Sequence, residues 1–357
     1  MIAFIAWTPL QIINIVNIKK NFFPEKASEL FIYSEFQDAE NIYENLNKEN
    51  IFTNIYFIDF TQMGSKMTRV INLLLGVDKF KLINCHYSDF FISGNNYYAK
   101  IIYEHMKRDN SDIKLHYIED GLAAYVSDKV FNNEGVTRKA YRKFKRNSLL
   151  NATFSDYYVY EPELSCFKRS LVKIPKIDQQ DGFVELLNRI FSYTSKYELE
   201  DKLIYIDQPL KSDGYGVDEV EILNHLSKLT PEKKIVVKLH PRSKSKKYQG
   251  MYPLIQADVP FELCMLSENL NKSITISPLS TVSFSTSIML EKKIPTMVLS
   301  EYLLTQPDKL NEKAHFVATQ ISNLWRTLNE EQSLQNLQIM NPRSSKEVKK
   351  IISEVLK

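Results

Sequence analysis

Residues 2–20 read IAFIAWTPLQIINIVNIKK, and their pattern recurs along most of the chain. The continuous apolar run Ile2–Trp7 predicts a strand buried on both faces, and a helical stretch, Pro9–Lys20, follows it. Short apolar runs alternate in the same way with helix-length amphipathic segments over nearly the whole length. Strands that are apolar on both faces and separated by helices indicate a parallel sheet covered by helices on each side. The sequence therefore predicts an α/β fold.

The predicted elements form two series, and a chain of 357 residues exceeds what one hydrophobic core usually supports. The first series has strands at Ile2–Trp7, Glu29–Ser34, Asn54–Ile58, Phe90–Ser93 and Lys114–Ile118, and helices at Pro9–Lys20, Asp38–Lys48 and Tyr97–Arg108. The second has strands at Leu203–Asp207, Lys234–Leu239, Ser273–Ser277 and Ile294–Leu299, and helices at Val217–Lys228 and Ser280–Leu290. We predict two Rossmann-like domains facing across a cleft, residues 1–180 and 200–340. Residues 341–357 should form a C-terminal helix that packs back on the first domain.

Composition excludes several classes of protein. Hydrophobic residues make up 44% and charged residues 25%, as in ordinary globular proteins, and a net charge of +3 argues against a nucleic-acid partner. Cys85, Cys166 and Cys264 lie far apart, which predicts neither a disulfide framework nor a zinc site. The start lacks a basic leader, and no apolar run approaches the roughly 20 residues that span a bilayer. These features predict a cytoplasmic protein.

Polar motifs follow three of the predicted strands, where α/β proteins bind their ligands. Glu119-Asp120-Gly121 places two carboxylates beside a glycine that permits a tight turn. Adjacent carboxylates raise each other's pKa, which suits a general base, although a plain Asp-Gly turn explains the same residues.

Lys238-Leu239-His240-Pro241-Arg242 is the second motif. The proline restricts the backbone after His240, and the flanking cations suit a phosphate, although a surface histidine before a turn explains the motif better when it is taken alone.

The hydroxyl-rich stretch Ser277–Ser283 is the third motif, and it leads into a predicted helix. Hydroxyl groups and free backbone N–H groups at a helix N-terminus form an anion site. Simple N-capping by Ser280 or Ser277 explains the same residues and is compatible with anion binding.

In this order the motifs resemble those of bacterial sialyltransferases, in particular glycosyltransferase family 52 and its capsule and polysialic acid relatives. The matching residues are Glu119-Asp120-Gly121, His240-Pro241, Ser280-Thr281, Phe261-Glu262-Leu263 and Thr8-Pro9-Leu10-Gln11. The resemblance implies a GT-B fold and an inverting sialyltransferase that uses CMP-sialic acid as donor and a glycan of surface polysaccharide or lipooligosaccharide as acceptor. It implies no cofactor and no metal, because the single phosphodiester of CMP-sialic acid offers no pyrophosphate for a divalent ion. A homodimer is also expected from it.

The resemblance also implies residue roles. Asp120 is the expected general base, and His240 the expected donor to the departing phosphate. Ser280 and Thr281 would bind the phosphate oxygens, and Glu262 the ribose hydroxyls. Pro241 and Lys238 would complete the nucleotide site.

Weaker signals concern the substrates and the membrane. Gln11, Asn95, Glu119 and Gln208 are candidate substrate contacts at the ends of strands. The basic run Arg138–Arg146 could be a solvated helix face, a peripheral contact with an anionic membrane or a site for an acidic glycan. A different donor, either a CMP-linked relative of sialic acid or a UDP-hexose, remains the alternative within the same fold.

Overall fold

A computed structural model describes residues 1–59, 61, 64–75, 86–121, 123–126, 143, 148–165, 167–230, 234–243, 245–248, 250–257, 260–280, 282–330 and 338–356. Within these residues the chain forms two sheets, and every strand pair in both is parallel. The predicted α/β class is confirmed. The basic run Arg138–Arg146 lies outside the described residues except for Lys143.

The strands of the first sheet are β1 Ile2–Ala6, β2 Ser28–Tyr33, β3 Asn54–Ile58, β4 Asp89–Ile92, β5 Lys114–Ile118, β6 Asp156–Val159 and β7 Leu171–Lys173. Those of the second are β8 Leu203–Ile206, β9 Ile235–Lys238, β10 Leu254–Ile255, β11 Ile274–Ser277, β12 Thr296–Val298 and β13 Ile339–Met340.

The described helices are α1 Pro9–Phe22, α2 Ala39–Glu49, α3 Lys66–Leu75, α4 Tyr97–Asp109, α5 Ala123–Val126, α6 Phe183–Ile190, α7 Glu219–Leu229, α8 Phe261–Ser267, α9 Val282–Met289, α10 Ser300–Leu304, α11 Glu312–Glu330 and α12 Ser345–Val355. Short 3₁₀ segments lie at Leu149–Asn151, Pro162–Leu164, Ile177–Gln179, Ser245–Lys247 and Pro307–Lys309. No helix in the described ranges is both long and apolar enough to cross a membrane.

The chain divides into two compact units. The first comprises Met1–Pro175 and Arg189–Ser192, and the second comprises Lys176–Asn188 and Tyr193–Lys357. The final helix α12 belongs to the second unit and packs there against α7, where His225 Nε2 lies 3.1 Å from Ser345 Oγ. Its expected packing on the first domain stays a prediction.

The first sheet has the strand order β3-β2-β1-β4-β5-β6-β7. Its direction of growth reverses between β1 and β4, and in such sheets ligands bind beyond the carboxyl ends of the strands at this point. Phe4 pairs with Phe91 across β1 and β4, and Ile92 pairs with Tyr117 across β4 and β5. When this register is extended two to three residues beyond the strands, Trp7, Gly94 and Glu119 lie next to one another across the ends of β1, β4 and β5.

The second sheet has the order β10-β9-β8-β11-β12-β13, so its reversal lies between β8 and β11. Ile206 pairs with Lys238 of β9, and Tyr205 pairs with Ile276 of β11. Gln208 and His240 therefore leave their strands at the same level. In each unit, the strand register therefore places the predicted motif residues close together at the carboxyl ends of the strands.

Candidate functional site

The loop between β1 and α1 explains why Thr8-Pro9-Leu10-Gln11 has its pattern. Thr8 is the N-cap of α1, its hydroxyl accepts a hydrogen bond from Gln11 N at 3.3 Å, and proline occupies the first turn. Gln11 Oε1 accepts a hydrogen bond from Trp7 N at 2.8 Å, which fixes the orientation of the amide. The amide nitrogen is consequently directed at Asp120 Oδ2, to which it donates at 2.8 Å.

Asp120 is half-buried at the carboxyl end of β5, and it combines a raised pKa with an oxygen that can take a further partner. Burial raises the pKa of its carboxyl, and the hydrogen bond from Gln11 opposes that shift. Among the described residues, Asp120 Oδ1 accepts no hydrogen bond. The next residue, Gly121, has φ +76°, a conformation that side chains with a Cβ rarely adopt. This geometry suits a group that removes a proton from a bound hydroxyl.

Glu119 has a different environment. It is 1% exposed, accepts a hydrogen bond from the Tyr125 hydroxyl, and accepts another from Tyr160 N at 2.9 Å. Burial raises the pKa of its carboxyl to about 7. Asn14 Nδ2 donates to the backbone oxygen of Glu119 at 2.8 Å, so α1 also holds this peptide. Glu119 anchors the loop that presents Asp120, and its contact with substrate stays a prediction.

Asn95 is half-buried in the turn after β4, one position before the residue that caps α4. Continued register places Asn95 level with Asp120 across β4 and β5. Its role as a substrate contact also stays a prediction.

In the second unit, His240 is half-buried just beyond β9, and its backbone N–H donates to Asp207 Oδ2 at 3.4 Å. Asp207 is 1% exposed and is also held by the Tyr248 hydroxyl at 2.6 Å and Lys247 Nζ at 2.9 Å. The carboxylate of Asp207 therefore fixes the start of the His-Pro loop. Sequence reasoning missed it, because an aspartate at the end of a strand carries no distinguishing signal.

The imidazole of His240 has a defined tautomer. Arg242 N donates to His240 Nδ1 at 3.1 Å, so the neutral ring carries its proton on Nε2. Burial lowers the pKa of His240, and the Arg242 guanidinium lowers it further. That guanidinium is paired with both carboxylate oxygens of Asp213, at 2.9 and 2.8 Å. The result is a neutral imidazole that presents an N–H donor.

The other predicted nucleotide contacts vary in placement. Lys238 is 4% exposed, and its ammonium donates to Leu239 O at 2.9 Å and Gln256 O at 2.8 Å, which joins the ends of β9 and β10. Pro241 is exposed. Glu262 is in the first turn of α8 and is 7% exposed. The nucleotide contacts proposed for these three residues stay predictions.

The hydroxyl-rich loop is fixed to the central strand. Gln208 Oε1 accepts a hydrogen bond from Leu279 N at 2.7 Å, and Ser277 Oγ donates to Ser280 O at 3.3 Å. Ser280 is 9% exposed and lies two positions before the first residue of α9, whereas Thr281 lies outside the described residues. Gln208 is thus a support of the loop, and both it and Ser280 lie where a helix N-terminus favours an anion.

Several supporting residues were not predicted from the sequence. Tyr125, Tyr160 and Asn14 surround Glu119, and Asn14 is 1% exposed and shares one side of α1 with the buried residues Gln11 and Asn17. An asparagine among isoleucines and valines in a helix is a signal that could have indicated a buried hydrogen bond.

In the described part of the chain, no group of three or more His, Cys, Asp or Glu side chains is arranged to hold a metal ion.

Comparison with known proteins gives one family and several similar folds. A family model described as alpha-2,8-polysialyltransferase matches residues 2–282, a range that contains the motifs discussed above apart from Ser283, the last residue of the hydroxyl-rich stretch. No curated protein matches the sequence.

Among solved structures, UDP-GlcNAc 2-epimerase of Methanocaldococcus jannaschii matches with 13% identity and a TM-score of 0.55, over 100% of this chain and 92% of the other. An alpha/beta-galactoside alpha-2,3-sialyltransferase from Photobacterium phosphoreum has 11% identity and a TM-score of 0.49, over 88% and 94%. The spinosyn rhamnosyltransferase SpnG has 11% identity and a TM-score of 0.49, over 99% and 96%. With the two parallel sheets, the likeness to the epimerase confirms the predicted GT-B fold class.

Proposed function

The chain belongs to the alpha-2,8-polysialyltransferase family, and we propose that it transfers sialic acid from CMP-sialic acid to a glycan hydroxyl, with inversion and without a metal ion. Membership makes it a sialyltransferase, a glycosyltransferase that binds a nucleotide-sugar donor and a glycan acceptor. The resemblance drawn from the motifs to polysialic acid sialyltransferases is confirmed by this match. The donor, the stereochemistry and the residue roles are proposed from the motif resemblance, and the geometry within each unit supports the roles of Asp120 and His240.

The observation that carries the proposal is the carboxylate of Asp120. One oxygen is held by Gln11 Nε2 at 2.8 Å, and burial raises the pKa of the carboxyl. A base with a pKa nearer to neutral accepts a proton more readily from a hydroxyl than an ordinary aspartate does. Asp120 Oδ1 takes the proton as the acceptor oxygen forms its bond to the anomeric carbon and the bond from that carbon to the CMP phosphate breaks.

His240 acts on the leaving group. Its Nε2–H is available in the neutral ring because Arg242 N occupies Nδ1. A hydrogen bond to the phosphate oxygen of the departing CMP becomes stronger as negative charge develops there, and such differential binding lowers the barrier. The lowered pKa of His240 does not weaken this role, since a neutral imidazole still donates from Nε2.

The phosphate is received by the loop that Gln208 supports. Ser280 and Thr281 precede α9, and we propose that their hydroxyl groups bind the phosphate oxygens. Glu262 in the first turn of α8 accepts hydrogen bonds from the ribose hydroxyls. Because CMP-sialic acid has one phosphodiester and no pyrophosphate, hydroxyl, imidazole and backbone donors suffice to neutralise its charge.

The donor is tested by the binding of nucleotides. The melting temperature should rise with CMP but not with UDP or GDP, and excess EDTA should not reduce the rise, because a ligand that binds only the folded state stabilises it. A rise with UDP instead, or one that requires a divalent ion, would overturn the proposed donor in favour of a UDP-hexose while leaving the fold intact.

The role of Asp120 is tested by Asp120→Asn, which keeps the shape of the side chain and removes its basicity. Transfer should be abolished while the rise in melting temperature with CMP persists, because the nucleotide contacts lie in the other unit. Asp112→Asn is the matched control, since Asp112 is exposed in the same unit. Near-normal turnover by Asp120→Asn would exclude Asp120 as the base.

A further inference from the structure

The turn between β4 and α4 contains two buried polar atoms that the proposed reaction does not yet use. Asn96 is the N-cap of α4, and its Oδ1 accepts a hydrogen bond from Ala99 N at 2.8 Å. This bond fixes the amide, so Nδ2 is directed away from the helix. Within the described ranges, neither Asn96 Nδ2 nor Ser93 Oγ has a hydrogen-bond partner, although both atoms are shielded from solvent. Ser93 as a whole is 6% exposed.

Such atoms are uncommon in folded proteins. More than nine-tenths of buried polar groups have a partner, because an unpaired one loses its hydration without compensation. Two of them lie within four residues of each other here. A bound ligand that accepts hydrogen bonds would satisfy both.

The turn lies beside the proposed base. By continued register, Ser93 and Gly94 are level with Ile118 and Glu119, at the point where the sheet reverses between β1 and β4. A Cβ built on Gly94 would lie 3.0 Å from Cζ2 of Trp7, so the indole ring packs against the backbone of this turn. The two unpaired atoms therefore belong to the ligand edge of the first sheet.

Their chemistry selects the group that they bind. An asparagine amide nitrogen only donates hydrogen bonds, and a serine hydroxyl can also donate. The N-terminus of α4, a helix of 13 residues, adds partial positive charge. The site thus favours an anionic oxygen group rather than a cation or an apolar group.

We propose that Asn96 Nδ2 and Ser93 Oγ donate hydrogen bonds to the carboxylate of the terminal sialic acid of the acceptor. The inference rests on the proposed function and extends it, because the family description alpha-2,8-polysialyltransferase indicates an acceptor that itself ends in sialic acid. Two donors at one end of the turn orient this terminal sugar, so that its attacking hydroxyl is presented to Asp120 Oδ1. They also keep the acceptor carboxylate apart from the carboxylate of Asp120.

The decisive variant is Asn96→Asp. Its side chain keeps the oxygen that caps α4, so the fold is retained, but a donor is replaced by a negative oxygen. The KM for a sialylated oligosaccharide should rise about 10- to 100-fold, the loss expected for a charge-assisted hydrogen bond. For the same acceptor with a methyl ester at the terminal carboxylate, the KM should differ by less than about threefold between variant and wild type, because the ester has no negative charge.

Two further variants separate binding from folding. Ser93→Ala should raise the same KM by about 3- to 10-fold, since a single neutral donor is lost. Asn47→Asp adds the same charge at an exposed position of α2 and should leave the KM unchanged. The rise in melting temperature with CMP should be the same in all these variants and the wild type.

An equal rise in KM for the free acid and the ester would overturn the inference, as would an unchanged KM in Asn96→Asp or a lost response to CMP. Binding of the sialylated oligosaccharide, measured by calorimetry without donor, distinguishes this inference from the proposed function. If the wild type binds the oligosaccharide but does not use CMP-sialic acid, the proposed donor is wrong. The inference is then still tested by calorimetry, which compares the affinities of wild type and Asn96→Asp for the free acid and for the ester. If the wild type does not bind the oligosaccharide, the inference fails.

Discussion

Replacement of Gln11 by methionine should change the pH dependence of transfer. The two side chains have similar length, but methionine cannot donate a hydrogen bond, so Asp120 Oδ2 loses its partner at 2.8 Å. Hydrogen bonding to a carboxylate favours the ionised form and lowers its pKa. Its loss must therefore raise the pKa of Asp120, in the same direction as burial.

The size of the shift follows from the strength of the bond. A hydrogen bond to a charged group contributes about 1.5–3 kcal/mol, and one pKa unit corresponds to about 1.4 kcal/mol. The pKa of Asp120 should therefore rise by about one to two units in Gln11→Met. Because the base must be ionised to act, the acidic limb of kcat/KM should move to higher pH by the same amount.

The assay is transfer to a sialylated oligosaccharide at subsaturating substrate across the acidic range, since kcat/KM reports the free enzyme. Asn45→Ala serves as the control, because Asn45 Nδ2 donates to Ile190 O and Ser192 Oγ in the same unit without touching Asp120. It should lower stability and leave the acidic limb in place. The reasoning would be refuted if the acidic limb of kcat/KM moved by less than about 0.3 pH unit in Gln11→Met. It would also be refuted if the limb moved as far in Asn45→Ala as in Gln11→Met.

Three other predictions concern the supports of each motif. His240→Ala should lower kcat by about 10²- to 10⁴-fold and raise the KM for the donor much less, and comparable effects on both parameters would contradict its role at the leaving phosphate. Gln208→Leu should weaken CMP binding by about tenfold in calorimetry, because Leu279 N–H loses its acceptor, and an unchanged affinity would speak against this support. The pKa of Glu119 is about 7 in the folded protein against an ordinary 4.5, so its stabilising contribution is complete below about pH 4.5 and is lost as pH rises through 7. Urea unfolding should therefore show that, between pH 4.5 and pH 8, the free energy of unfolding falls by about 3 kcal/mol less in Glu119→Gln than in the wild type. Equal falls in the two proteins would refute this prediction.

The sequence predicted most of the regular structure because strand and helix periodicities are local signals. Asn54–Ile58 and Lys114–Ile118 have the predicted bounds, and most other predicted strand ends differ by a residue. Strands β6 and β7 of the first sheet and the two edge strands of the second sheet, β10 and β13, were not predicted. β10 and β13 have two residues each, Leu254–Ile255 and Ile339–Met340, so pairing with a neighbour creates them and no periodicity can reveal them.

The candidate site was predicted in its motifs but not in its connections. Thr8 and Gln11 form a helix-start pattern that the sequence displays, whereas the bond from Gln11 to Asp120 joins residues 109 positions apart. Between the two asparagines after β4, the sequence reading selected Asn95. An asparagine directly before a helix is an N-cap signal, so Asn96 could have been identified as the residue with a fixed side chain.

The path of the chain between the two units bears on its synthesis. The segment Arg189–Ser192 belongs to the first unit, where Arg189 pairs with Glu49 at 2.8 Å, although the thirteen residues before it belong to the second. During translation the first unit cannot complete its contacts until Ser192 has left the ribosome. Long-range closure of this kind slows folding and leaves a nascent chain exposed to chaperones. A fragment ending at Pro175 would lack this closing segment, so a separately expressed first unit should extend to Ser192.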